Sequence, residues 1–95
     1  MDYYKKTVEI LKNYNRLMCA KDEYTIMYLK NIDCIIEKLG DIEHLVIKDY
    51  YILGNTMESI AENTDYSVNN IYQIRSKAIK QIATMLYGIK TLEKD

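Results

Sequence analysis

Apolar residues recur every three to four positions along most of the chain, and polar residues fill the positions between. That spacing aligns side chains along one face of a helix. A first helix is expected over residues 2–20, with Asp2 as its N-cap. Tyr4, Val8, Leu11 and Met18 mark its apolar face, widened by Tyr14 and Leu17. Lys21-Asp22 breaks the pattern. A second helix over 23–39 carries Thr25, Tyr28 or Leu29, Ile32, Ile35, Ile36 and Leu39, with Gly40 as its C′ residue and Asp41 as the cap of the next. A third, over 42–53, shows Ile42, Leu45, Val46, Asp49 and Tyr50, widened by Ile52 and Leu53, and ends at Gly54. Asn55 with Glu58 predicts a capped short helix over 56–63. Ser67 caps a fifth helix that runs to Tyr87 and stops at Gly88.

Composition sharpens this into an all-α chain. The 95 residues include no Pro and three Gly, so little interrupts the helices elsewhere. The expected architecture is an N-terminal helical hairpin, residues 1–40, followed by a three-helix helix-turn-helix module, residues 41–95. The first two helices either pack within the chain or form a two-fold interface. A homodimer held by Val8, Leu11, Met18, Ile32 and Ile36 is the expectation under the second alternative. The charged residues near the N-terminus leave no apolar core for a secretion signal, and no apolar run is long enough to span a membrane. A soluble, cytoplasmic chain is expected, with Cys19 and Cys34 reduced and partly buried.

The segment 57–86 carries the functional signal. Ile60, Ala61, Ile71 and Ile74 fall where a helix-turn-helix buries side chains, with Ala61 at the crossing of the two helices. Asp65 stands at the turn, where a positive φ is expected. Along the last helix, Val68, Ile71, Ile74, Ala78, Ile79, Ile82, Met85 and Leu86 occupy one sector. Asn69, Tyr72, Gln73, Ser76, Lys77 and Lys80 occupy the opposite sector, with Asn70 on its flank. Amides read base edges and cations grip phosphates. The expected base-reading residues are Asn69, Asn70, Tyr72, Gln73 and Ser76. The expected phosphate contacts are Thr56, Ser67, Lys77 and Lys80. Arg75 falls inside the apolar sector, so its stem should pass the core or its charge should pair with a nearby acid. The net charge is only −1, yet residues 66–92 contain Arg75, Lys77, Lys80 and Lys90 and no acid.

The run SVNNIYQIRSKAIKQI resembles the recognition helix of region four of the primary bacterial sigma factors. Ile71, Gln73, Ile74, Lys77, Ala78 and Ile79 carry the likeness, and LVIKDYYILGNTMESIAE resembles the helices before it. The whole arrangement is similar to small phage transcriptional regulators of the RinA/ArpU kind. The resemblance covers roughly residues 42–87 and implies that the last helix enters the major groove. Base and phosphate contacts would fall on Val68, Asn69, Tyr72 and Gln73. Val68 and Tyr72 stand where the sigma factors carry Arg, which argues against the usual −35 promoter element. Thr64 and Asp65 also depart from the family's turn.

His44, the single His, has no partners spaced to complete a metal site. No phosphate-cradling Gly-rich loop and no nucleophile beside a base is present, so neither an enzyme nor a cofactor, metal or small-molecule substrate is expected. The expected function is a sequence-specific regulator of phage or prophage transcription that binds double-stranded DNA, with RNA polymerase as a further partner. No segment resembles the promoter-melting part of a full sigma factor, so it should not start transcription alone. The alternative is a protein-interaction module that keeps the scaffold, has lost DNA binding and modulates a host protein.

Overall fold

Short polar side chains set the helix starts. Asp2 accepts from the Lys5 N–H at 3.0 Å, Asp22 from Thr25 at 2.9 Å, Thr56 from Ser59 at 3.1 Å and Ser67 from Asn70 at 3.1 Å. Each bond satisfies one open donor of a first helical turn. The computed structural model describes residues 2–93 and is all-helical, as expected. Its helices are α1 (Tyr3–Lys12), α2 (Tyr14–Leu17), α3 (Glu23–Glu37), α4 (Asp41–Ile47), α5 (Met57–Asn63) and α6 (Val68–Tyr87). A π-helical turn, Lys48–Ile52, continues α4, and a 3-10 turn, Gly88–Thr91, follows α6. The ends of the expected C-terminal module, Lys94 and Asp95, lie outside the described residues.

Several boundaries differ from the sequence expectation. The expected first helix is broken at Asn13, whose side-chain amide donates to the Glu9 carbonyl at 2.8 Å. An Asn that bonds the backbone in this way competes with the helical ladder. Gly40 does not close α3 in a left-handed conformation. It sits at φ −62°, ψ 163° and is itself the N-cap of α4, leaving Asp41 as the first helical residue. Thr56, not Asn55, caps α5. Gly54 and Gly88 do adopt φ of 78° and 72°, which a side chain would resist. Among the described residues no non-glycine has positive φ, so Asp65 does not supply the expected left-handed turn. Thr64 turns the chain from an extended conformation instead, and its hydroxyl donates to the Ile60 carbonyl at 2.9 Å.

Helix α6 organises the core. Ala78, Ile79 and Ile82 pack with Leu11, Tyr14, Leu29, Ile32, Ile35, Ile36, Leu39 and Ile47 in one cluster. Val46, Met57, Ile60 and Ile71 form a second, flanked by Ala61, Val68 and Ile74. The neighbours Val46 and Ile47 face different clusters, so α4 joins the two. Both are fully buried, and each such aliphatic side chain contributes about 1.5–3 kcal/mol relative to exposure. Ile47 was not on the expected apolar face. Leu45, Leu53 and Met85, which were, are exposed. Both cysteines are exposed as well, against the expectation of partial burial. Leu11, Ile32 and Ile36 are buried within one chain, which removes them from the expected two-fold interface. Of the five residues named for that interface, Met18 alone is exposed. No described helix is long and apolar enough to cross a membrane.

Candidate nucleic-acid interface

Burial of Ile71, Ala78, Ile79 and Ile82 fixes the rotation of α6 about its axis. The opposite side faces solvent. Asn69, Asn70, Tyr72, Gln73, Lys77 and Lys80 are all exposed there, as the helical spacing predicts. Asn70, Gln73 and Lys77 line a shallow hollow with Tyr66 and Ile74. Lys77 and Lys80 continue it along the helix beside Gln81, Thr84 and Met85. The exposed ridge thus has amides in its first two turns and cations after them. An amide offers a donor and an acceptor together, the pattern that matches the edge of adenine.

Ser76 stands apart from this ridge. It is half-buried, and the Tyr4 hydroxyl donates to its Oγ at 3.3 Å. A base-reading role for Ser76 therefore requires α1 to move. The spacing of α6 alone did not reveal this, because Tyr4 is 72 residues away in sequence.

Thr56 and Ser67 are exposed at the starts of α5 and α6. Their oxygens accept cap hydrogen bonds. A hydroxyl that accepts through one lone pair still has its own O–H to donate. Both caps can therefore grip a phosphate oxygen without releasing the helix.

Arg75 is half-buried and makes no salt bridge among the described residues. Its guanidinium lies 5.0 Å from the ring centre of Tyr50 and 5.2 Å from that of Tyr72. Of the two expected alternatives the acid pair is not found among the described residues, and the guanidinium instead lies near two aromatic faces, which attract a cation through their quadrupoles. Its Nε is buried without a hydrogen-bond partner. Tyr50 belongs to the π-helical turn, where its ring meets that of Tyr51 edge to face at 4.9 Å. Such turns often occur at functional sites. Burial is the main influence on the Tyr51 hydroxyl and raises its pKa, with the charge of Arg75 opposing.

The same side chains wall an open cleft of about 790 Å³ between α1, the π-helical turn and α6. Tyr4 and Lys12 of α1 line it together with Thr56, Tyr72 and Arg75. Sequence reasoning left Lys12, Tyr50 and Tyr51 out of the surface. The i, i+3 spacing of Tyr72 and Arg75 was visible, but no local pattern brings α1 to this place. His44, on the far side of α4, has Nε2 3.3 Å from Glu37 Oε1, an ion-pair distance without hydrogen-bond alignment. Comparison of the chain with family models, curated proteins and solved structures finds no significant match.

Proposed function

We propose that the protein is a sequence-specific regulator of transcription, of the phage or prophage type, that binds double-stranded DNA through α6. The observation that carries this reading is the exposed ridge Asn69–Asn70–Gln73–Lys77–Lys80, held by a helix-turn-helix whose partner helix and turn lie at its start. Thr56 and Ser67 flank the ridge with donors suited to phosphate. Asn69 and Gln73 are positioned along one face to read bases, and Lys77 and Lys80 to neutralise the backbone. The resemblance to sigma region four supports the same assignment of α6 to the major groove. RNA polymerase is the partner that the reading implies.

A mobility-shift titration on DNA from upstream regions of its own genome, repeated over a salt series, tests the proposal. Specific binding that weakens linearly on a log–log salt plot is the expected result. Absence of binding at low salt overturns it.

A second reading has one observation in its favour. Tyr24 and Met27 on α3 are 76% and 70% exposed, an apolar pair on the side of a module whose net charge is −1. A protein-interaction module that modulates a host protein would use such a surface. It predicts no DNA shift, and binding to a protein partner that Met27→Glu abolishes.

A further inference from the structure

We propose that the cleft between α1 and α6 takes a phosphate of the DNA backbone, so that the N-terminal helix is part of the DNA interface. This rests on the DNA-binding reading of α6 and extends it to residues outside the helix-turn-helix. Two cations from separate elements, Lys12 and Arg75, line one cleft with the exposed cap hydroxyl of Thr56. Glu58 is the one acid on its wall. Among the described residues neither cation makes a salt bridge, so their charge is not neutralised within the chain. Arg75 is held by Tyr50 and Tyr72 rather than by an acid, and its Nε has no acceptor.

Position decides which anion this is. Tyr72 belongs both to the cleft wall and to the exposed ridge of α6. A strand whose base edges meet that ridge carries its sugar-phosphate backbone along the flank, where Tyr72 opens into the cleft. Lys12 lines the same cleft, so a phosphate entering it has Lys12, Arg75 and the Thr56 hydroxyl among the groups of its walls. Phosphate contacts of this kind set register and orientation on the duplex and add affinity for any sequence.

The test is fluorescence anisotropy of a labelled duplex of mixed sequence, titrated with the full chain at several salt concentrations. Lys12 is exposed, so Lys12→Ala should keep the fold, and a thermal melt checks that it does. The log–log salt slope should fall by about 1 in Lys12→Ala and stay at the wild-type value in Lys12→Arg. Lys38→Ala, at the end of α3 and outside the cleft, should leave it unchanged. A wild-type slope in Lys12→Ala overturns the inference while leaving α6 as the DNA-binding helix. A cleft that serves a free nucleotide instead would show Lys12→Ala weakening AMP binding with the duplex slope intact, which also overturns it. Loss of salt-dependent duplex binding in the wild-type protein removes both this inference and the proposed function.

Discussion

The Arg75 guanidinium sits 5.0 Å from the centre of the Tyr50 ring, joining α6 to the π-helical turn that continues α4. Tyr72 approaches the same cation at 5.2 Å from one turn earlier on α6. A planar cation between two rings keeps its charge near the surface while its stem lies against the core. In a double-mutant cycle, Tyr50→Leu and Arg75→Gln should couple by about 0.5–1 kcal/mol in urea unfolding. Strictly additive effects would show that the stack is only a packing coincidence.

Gln73 is exposed, so its truncation should leave the melting temperature near the wild-type value. Gln73→Ala should instead narrow the gap between the preferred site and single-base variants, by about 1–3 kcal/mol at one position. Lys77→Ala should weaken binding to all duplexes alike and lower the salt slope by about 1. Retention of full base preference in Gln73→Ala would move the reading surface elsewhere.

Ile71 is fully buried in the cluster that holds α5 against α6. Ile71→Ala should cost about 2–5 kcal/mol, a large part of the stability of so small a domain. Ala61 packs on the same cluster but remains half-buried. Ala61→Leu should therefore cost less than Ile71→Ala. Denaturant midpoints of the two variants check the ranking, and the reverse order would contradict the observed crossing of α5 and α6.

Tyr14 is 5% exposed and donates its hydroxyl to Asp33. Burial first, then the hydrogen bond and charge of Asp33, push its pKa from 10.0 up to about 12. The folded chain thus keeps a proton that the unfolded chain releases. The associated stability is complete below pH 10 and is lost as pH rises through about 12. The slope in that window is about 1.4 kcal/mol per pH unit from this group. Tyr14→Phe should flatten the alkaline limb of a stability-against-pH curve. Tyr28, also raised to about 12 by burial and then by Tyr87, leaves a residual slope. An unchanged alkaline limb in Tyr14→Phe would show that Tyr14 titrates alike in both states.

Local chemistry made the helical class and the α5–α6 unit legible in the chain. The Ser67 cap, the glycine stops at 54 and 88 and the buried Ile60 and Ile71 depend on neighbours a few residues away. The exposed ridge from Asn69 to Lys80 follows from helical spacing once Ile71 and Ile79 face inward. The break at Asn13 was less visible, because an Asn inside an amphipathic run reads as an ordinary polar position until its amide bonds the backbone.

Residues far apart in sequence decided the rest. The burial of Leu11, Ile32 and Ile36 in one cluster with α6 residues took these three out of the surface open to a second copy, since an apolar stripe does not say which surface covers it. The hydrogen bond from Tyr4 took Ser76 off the open face. The π-helical turn holds Tyr50 near Arg75, where helical spacing left open a stem passing the core or an acid pair. The sequence by itself determined the all-helical class and the exposed amides and lysines of α6, because both are set by side-chain spacing over one or two turns. Only the tertiary structure decided that Lys12, Thr56 and Arg75 share one cleft, because that depends on where α1 packs, and packing is chosen by the whole core.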